Sequence, residues 1–301
     1  MAIQLKKNSG KTKPEKKYKA YKPGSLPYIW SRISKNPAAM VGLVVVVSLF
    51  LLSFASPYIC KWGYAEINIR SQFSTPSAEH LLGCDEIGRD ILSRVLYGAK
   101  YTMSIGILAT AVSFTIGVLV GSIAGYFGGA VDSFIMRFLD VFQSFPDILL
   151  AIALAAAFGQ GFDKIIFALG ITRIPMYARM MRANILTVRS SEYIEAATSI
   201  NCSTTRIIAK HVIPNAISPL IIQVTMGIAN AGLQASSLSF LGFGVQPPTP
   251  EWGAMLATAR NYIRDYPHMI IIPGIFIMMT VLSFNLIGDA VRDALDPKLR
   301  D

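Results

Sequence analysis

Six apolar runs constrain this chain of 301 residues more than any other feature of its sequence. Inside a bilayer every backbone N–H and C=O group must find a partner within the protein, so long apolar runs that cross it are helices. A crossing needs about 20 apolar residues. We therefore predict an all-α integral membrane protein with six transmembrane helices, at residues 38–57, 101–125, 146–159, 165–184, 216–241 and 269–289. The third run is short for a crossing and could recruit residues from 138 onward.

Composition and charge agree with this fold class. Only 15% of the residues are charged, whereas soluble domains usually carry about 25%. The net charge of +10 is compatible with nucleic-acid binding, but ten Lys and Arg residues fall between Lys6 and Lys35, with Glu15 as their only acid. Such an excess is typical of a cytoplasmic segment before a first span. We therefore predict a basic cytoplasmic tail at 1–37 and no nucleic-acid partner.

The Lys and Arg bias also sets the orientation. With the N-terminus inside, six crossings return the C-terminus at 290–301 to the cytoplasm. The loop after the fourth run is then cytoplasmic, and its basic residues agree with that placement: Arg179, Arg182, Arg189, Arg206 and Lys210. The predicted organisation is a first helix at 38–57, an external segment at 58–100 and a five-helix core at 101–289.

Residues 190–214 interrupt the apolar pattern with a polar insert. Ser190 or Ser191 can cap a first helix. Glu192 and Glu195 then lie in its first turn, where the helix dipole favours acidic side chains. The helix carries an apolar stripe at helical spacing, formed by Tyr193, Ala196, Ala197 and Ile200.

The insert continues with a turn and a second helix. Asn201 tolerates a positive φ and can close the first helix with a left-handed turn. Ser203 can cap a second helix at 204–212, and Pro214 is expected to end it. A short amphipathic hairpin of this kind suits docking into a groove on a partner. A loop lying on the membrane surface is the alternative that the spacing leaves open.

The sequence EAATSIN, followed by VIP, resembles the EAA motif of binding-protein-dependent ABC importer permeases. The resemblance implies that the insert is a coupling helix seated in a cleft of an ATPase subunit. Where the family has Gly, this chain has Asn201. The implied ATPase-coupling residues are Glu192, Glu195, Ala196, Ala197, Asn201, Arg206, Lys210 and Pro214.

Four further segments resemble the C-type permease subunit of oligopeptide, dipeptide and nickel importers: residues 80–100, 125–146, 237–256 and 288–300. Where that family often has Glu, this chain has Ala235. The resemblance implies the type I ABC importer permease fold in a bacterial or archaeal cytoplasmic membrane. It also implies a homologous second permease, two ABC ATPases that bind ATP and Mg²⁺, and an extracytoplasmic solute-binding protein.

We form hypotheses about three further groups of residues in or near the runs. Gly117, Gly121 and Gly125 form GxxxGxxxG on one helix face, a pattern typical of close helix contact. An acid–base cluster is expected to anchor local structure near the inner surface; its members are Asp132, Arg137 and Asp140.

Arg173 falls near the middle of the fourth run, where a charge is costly. We therefore expect it to face the translocation path and hold an anionic group. A pair with Asp147, or with a neighbouring chain, is the alternative.

No residue pattern predicts an enzyme or a metal site. The three histidines are scattered, and no nucleophile–base set or paired carboxylates occur at membrane depth. Cys60, Cys84 and Cys202 form no CxxC motif; Cys60 and Cys84 share the outer side and could pair, although two unrelated thiols is the simpler interpretation. Trp252 is expected at the membrane interface or against the binding protein.

The predicted function is therefore a non-catalytic permease subunit that couples ATP hydrolysis by its partners to the import of peptides or related small solutes. Uptake of nickel or of metal chelates within the same family is one alternative. An ion-driven secondary transporter and a membrane scaffold without transport activity are others.

Overall fold

The computed structural model describes residues 26–295, and this range is helical almost throughout. Most of the basic tail, and Lys298 and Arg300 of the C-terminus, lie outside the described residues. The helices are α1 Leu26–Ile33, α2 Pro37–Ile59, α3 Ile91–Phe127, α4 Gly129–Gln143, α5 Asp147–Phe158, α6 Phe162–Arg189, α7 Glu192–Ser199, α8 Thr204–Ile207, α9 Ile213–Ala216, α10 Ser218–Phe240, α11 Trp252–Ala259 and α12 His268–Leu295. The predicted all-α class is confirmed for this part of the chain.

Local capping explains where the first two long helices begin. The side chain of Asn36 accepts hydrogen bonds from the N–H groups of Ala38 and Ala39, and Pro37 occupies the first turn of α2, where a missing N–H costs nothing. Asp90 caps α3 by accepting from the N–H of Ser93 at 2.8 Å. This cap starts α3 ten residues before the predicted 101. Pro57, expected to end the first span, lies inside α2 instead.

Three helices are long and apolar enough to cross a membrane by themselves within the described range: α2, α3 and α12. Two bent pairs raise the number to five if each counts as one crossing: α4 with α5, bent by 88°, and Thr204–Ala216 with α10, bent by 61°. The remaining predicted crossing, the fourth run at 165–184, corresponds to α6. It has 28 residues, but six charged side chains lower its apolarity: Asp163, Lys164, Arg173, Arg179, Arg182 and Arg189.

The third predicted span involves both members of the first bent pair. α5 has 12 residues, which is about 18 Å at 1.5 Å per residue. The hydrocarbon core is about 30 Å thick. α4 lies on the other side of a sharp turn that ends at Pro146 and is nearly perpendicular to α5, at 88°, so it adds little length along the axis of α5. This crossing is therefore broken rather than one continuous helix.

The buried core forms three clusters that follow one another along α3. One cluster surrounds Trp252 and includes Val95, Ala99 and Met103 of α3. A second joins α5, α6 and α10 through small residues such as Ala151, Ala155 and Ala231. A third lies beneath the polar insert. Large apolar side chains on α2 and α12 remain exposed, among them Leu51, Phe54, Met278 and Leu282, as expected of faces that contact lipid.

Candidate functional site

The polar insert has the predicted helix–turn–helix form. Asn201 adopts φ +58°, so the first helix ends in the left-handed turn that its sequence predicts. The N–H of Cys202 donates to the carbonyl of Ala197 at 3.1 Å, and the N–H of Asn201 donates to that of Thr198 at 2.9 Å. These two bonds form a Schellman motif and satisfy carbonyls that the end of α7 leaves open.

The second helix does not end at Pro214 as expected. The chain continues through one π-helical turn, Ile208–Val212, into α9. The N–H of Ile213 donates to the carbonyl of Ile208, a wide i to i+5 bond. Because proline has no N–H to offer the preceding turn, a wider turn just before Pro214 lets the helix pass it. The bend comes later, before Pro219 in the first turn of α10.

The predicted apolar stripe of α7 is split between two faces. Ile194 and Ala197 are buried against the protein, whereas 44% of Tyr193 and 80% of Ile200 are exposed. The prediction of a single apolar face was wrong, because Ile194, which was not part of the predicted stripe, makes the inner contact. Ala196 lies on the outer face with Tyr193 and Ile200. The insert therefore presents apolar side chains outward from the chain.

Among the predicted coupling residues, Ala197 alone is buried within the described structure. The remaining seven are exposed: Glu192, Glu195, Ala196, Asn201, Arg206, Lys210 and Pro214. Two acids and two bases therefore surround the outward apolar face. The combination suits a partner surface that offers both apolar and charged groups.

The inner face of the insert is continuous with three long helices. Ile194, Ala197, Ile207 and Val212 belong to one buried cluster with Val118 of α3, Tyr177, Met181 and Ile185 of α6, and Leu220 of α10. Protein interiors are close-packed and transmit displacement. The insert is therefore packed directly against the parts of α3, α6 and α10 that share this cluster.

The glycine face of α3 lies directly against α6. A Cβ atom on Gly121 would lie 2.3 Å from the carbonyl oxygen of Ala178, and one on Gly117 would lie 2.5 Å from Cβ of Tyr177. A Cβ on Gly125 would meet the carbonyl oxygen of Arg182 at 3.0 Å. These glycines let the two backbones approach to a distance that side chains would forbid.

The acidic residues of α4 pair with α6 rather than with Arg137. Asp132 accepts two hydrogen bonds from the guanidinium of Arg182, and Asp140 accepts one from Arg179. Arg137 is exposed on another face of α4. The prediction therefore named the wrong cation for this cluster. The cations come from α6, a helix far away in sequence, which spacing along α4 cannot reveal.

Arg173 lies on α6 and contacts α10. Its Nε donates to Oε1 of Gln234 on α10 at 3.3 Å. Among the described residues, no carboxylate oxygen lies within 4.0 Å of its guanidinium nitrogens. A direct ion pair with Asp147 is therefore not seen, and Asp147, exposed at the start of α5, attracts the guanidinium only from beyond contact distance.

A buried carboxylate that the sequence reasoning missed joins the outer helices. Glu251, fully buried, accepts from Thr102 Oγ1 of α3 at 3.1 Å, from Ser236 Oγ of α10 at 3.4 Å and from the N–H of Ala254 at 2.9 Å. Burial raises the pKa of this carboxyl above its ordinary value.

Its neighbour Trp252 is fully buried and donates from Nε1 to the carbonyl of Val95 at 2.9 Å. The expected place of Trp252 at the membrane interface was wrong. Its indole needs one hydrogen-bond acceptor, and the first turn of α3, which begins earlier than predicted, supplies it. The only signal for Glu251 was its position just before α11, where an acid can cap a helix.

The external segment carries a second buried network. Arg89 donates from Nε to Oδ2 of Asp85 at 2.6 Å and from Nη2 to Oε1 of Glu86 at 3.1 Å. Nδ1 of His80 lies 3.0 Å from Oδ1 of Asp90, the carboxylate that caps α3. Burial raises the pKa of the Glu86 carboxyl. The network fixes the segment predicted to be external to the beginning of α3.

Cys60 and Cys84 are free thiols. Cys84 is fully buried. Burial, followed by the nearby carboxylates of Asp90, Asp85 and Glu79, raises the pKa of its thiol to about 12. A thiol in this state is protonated and unreactive at neutral pH. The interpretation as two unrelated thiols fits this geometry.

Comparison with known proteins gives two family matches. Residues 117–301 match the family described as "Binding-protein-dependent transport system inner membrane component". Residues 27–76 match "N-terminal TM domain of oligopeptide transport permease C". The first match covers more than half of the chain and includes the insert, α4 to α6, and α10 to α12.

Curated relatives match over nearly the whole length. The chain is 40% identical over 287 residues to the dipeptide transport system permease protein DppC of Alkalihalophilus pseudofirmus, covering 95% of this chain and 94% of that one. It is 37% identical over 286 residues to the di/tripeptide transport system permease protein DppC of Pseudomonas aeruginosa, covering 93% and 94%. It is 40% identical over 277 residues to the glutathione transport system permease protein GsiD of Pectobacterium atrosepticum, covering 90% of each.

A solved structure of the MetNI methionine ABC transporter in an inward-facing conformation shares the fold of this chain. The TM-score is 0.55 at 18% sequence identity, and the match covers 67% of this chain and 96% of that chain. At this identity the likeness concerns the fold alone.

Proposed function

This chain belongs to the family of binding-protein-dependent transport system inner membrane components, and on that premise we propose that it passes di- or oligopeptides, or related small solutes, across the membrane. It is a multi-pass transmembrane permease subunit of an ABC importer. The match of residues 27–76 identifies the C-type subunit of the oligopeptide group. Relatives named for dipeptide, di/tripeptide and glutathione transport support a peptide cargo.

The proposed assembly contains four further chains. They are a homologous second permease, two ABC ATPases and an extracytoplasmic solute-binding protein. ATP and Mg²⁺ are bound by the ATPases, and this chain has no catalytic role. The proposed site is the bacterial or archaeal inner membrane, with both termini in the cytoplasm. The basic residues between Lys6 and Lys35 support that orientation.

The observation that carries the mechanism is the two-faced insert. Its outer face, with Tyr193, Ala196 and Ile200, is exposed. Its inner face, with Ile194 and Ala197, belongs to the buried cluster of α3, α6 and α10. We propose that a closing ATPase pair moves the outer face and that the buried cluster carries this motion to the three helices. Alternating access follows when such close-packed elements shift as units.

Two further features support transmission through α6. The glycine face holds α6 against α3, and the pairs of Asp132 with Arg182 and Asp140 with Arg179 connect α6 to α4. Displacement of α6 therefore changes the position of the broken crossing formed by α4 and α5. In the proposed cycle this broken crossing changes its exposure between the two sides of the membrane.

The test is coupled transport by the reconstituted complex. ATP hydrolysis and uptake of a labelled dipeptide are measured in proteoliposomes for the wild type and for Ala196→Asp. We expect uptake to fall at least tenfold while the permease still inserts and assembles, because a charge at the centre of the outer apolar face opposes docking of the ATPase. Tenfold corresponds to about 1.4 kcal/mol of lost coupling.

Thr205→Asp provides a control, because Thr205 is exposed on the second helix of the insert and the added charge is the same. Normal coupled uptake by Ala196→Asp would contradict the coupling role. Dipeptide uptake that continues without ATP but stops when the proton gradient is abolished would contradict the whole proposal, since a secondary transporter behaves in that way.

A further inference from the structure

A polar face of α10 is left uncovered by the rest of the described chain. Asn230, Gln234 and Ser237 follow one another at spacings of four and three residues, so they lie on one face. Asn230 is exposed, and Gln234 and Ser237 are half-buried. Polar groups at membrane depth are costly against lipid and usually face a bundle interior or an aqueous cavity. This face therefore lies toward water or another protein.

Arg173 adds a charge to that face. Its guanidinium reaches Gln234 through Nε at 3.3 Å, which places it beside the polar face of α10. Arg179 and Arg182 of the same helix each form an ion pair with an aspartate of α4, and Arg189 at its end lies over the ring of Tyr126. Arg173 has an amide as its partner instead. A guanidinium presents five N–H donors in a fixed fork that fits a carboxylate, so the observed bond leaves most of its capacity unused.

The nearest acid by topology is Asp147. α5 and α6 form an antiparallel hairpin whose turn is centred on Gln160, because α5 ends at Phe158 and α6 begins at Phe162. Asp147 and Arg173 are equally far from that turn in sequence, 13 residues each, so they lie at about the same depth. Within the described chain they do not form an ion pair. The positive charge of Arg173 is thus not neutralised by a direct contact.

We propose that Arg173, positioned by Gln234, binds a carboxylate group of the transported solute, and that the uncovered face between α6 and α10 lines the transport pathway. The inference rests on the proposed transport function and adds a chemical requirement to it. The occupant is a solute with a free carboxylate, because its charge complements an arginine that contacts no carboxylate and lies beside a polar face.

The experiment compares two peptides that differ in one group. Proteoliposomes that contain the full complex import a dipeptide with a free C-terminal carboxylate, or the same dipeptide as its C-terminal amide, each supplied on saturated binding protein. The measured quantity is the ratio of acid uptake to amide uptake. Dividing the ratio of a variant by that of the wild type cancels the selectivity of the binding protein, which is the same in both.

We expect Arg173→Gln to lower the acid-to-amide ratio by about 10- to 100-fold, the usual effect of losing a hydrogen-bonded charge. Arg173→Lys keeps the charge without the fork, so its ratio should fall less. Arg179→Gln is the matched control. It makes the same change on the same helix, at an arginine whose partner is Asp140, and it should leave the ratio unchanged.

Three results would overturn the site while leaving the proposed function intact. One is an unchanged ratio in Arg173→Gln. Another is equal import of acid and amide by the wild type, which decides the matter even if a variant fails to assemble. The third is an Arg173→Gln variant that fails to assemble, together with an Arg173→Lys complex that assembles and keeps the wild-type ratio. That result would mean that Arg173 contacts the second permease and not the solute. A wild-type complex that imports no peptide of either kind would instead refute the proposed function.

Discussion

Replacement of Gly121 by alanine tests the close contact between α3 and α6. The added Cβ would lie 2.3 Å from the carbonyl oxygen of Ala178 and 2.9 Å from both its Cα and the Cβ of Met181. Carbon and carbonyl oxygen atoms normally approach to about 3.3 Å, so α6 would have to retreat by about 1 Å. The first two of these contacts are backbone atoms, which cannot rotate out of the way.

Overfilling a close-packed contact costs about 1–3 kcal/mol. The matched control is Gly274→Ala on α12, where the added Cβ meets no atom within 4 Å. Both variants gain the helix preference of alanine over glycine, about 1 kcal/mol, so their difference isolates the contact. Gly125→Ala should fall between them, because its nearest contact is 3.0 Å.

The assay is the midpoint of thermal unfolding of the purified permease complex in one detergent. One kcal/mol shifts the midpoint by about 2–4 °C in domains of this size class. We therefore expect Gly121→Ala to unfold roughly 2–12 °C below Gly274→Ala. Equal midpoints for these two variants would refute the close approach of α3 and α6, and with it the proposed transmission along α6.

Three other predictions follow from single contacts. Arg182→Ala should lower the free energy of unfolding by roughly 1–2 kcal/mol more than Arg137→Ala, because Arg182 holds a half-buried bidentate pair and Arg137 is exposed. Equal losses of stability in the two variants would argue against that pair. Asn201→Gly should be tolerated, whereas Asn201→Val should cost about 1–2 kcal/mol, because φ is +58°; an unaffected Val variant would argue against the left-handed turn. Because the pKa of the Glu251 carboxyl is raised, the folded state keeps this proton over a pH range in which the unfolded state has released it, so stability should fall as pH rises above about 4.3. Glu251→Gln should remove this part of the pH dependence. A variant whose stability has the same pH profile as the wild type would contradict the raised pKa.

Local rules predicted the parts of the fold that depend on neighbours in sequence. The left-handed turn at Asn201 and the first-turn acids of α7 follow from capping chemistry. The glycine face of α3 follows from a repeat of four. Each of these signals lies within about two helical turns, and the structure shows each in its expected place.

Contacts between distant segments were beyond the reach of such rules. The sequence reasoning chose Arg137 as the partner of Asp132 and Asp140 because it lies on the same helix, whereas α6 supplies the cations. Tryptophan is common at membrane interfaces, yet here the carbonyl of Val95 accepts the indole N–H of Trp252, which is fully buried. Both errors arise because the competing partner is a residue that only the tertiary fold brings near.

The polarity of α6 connects these observations. A helix with six charged residues is a poor crossing if lipid surrounds it. Its charges need no lipid contact, however, because Arg179 and Arg182 meet aspartates of α4 and α3 covers its small-residue face. Arg173 contacts no carboxylate within the described chain, and it lies beside the uncovered polar face of α10. The feature that makes α6 a weak candidate by apolarity is therefore the feature that an internal, solute-contacting helix requires.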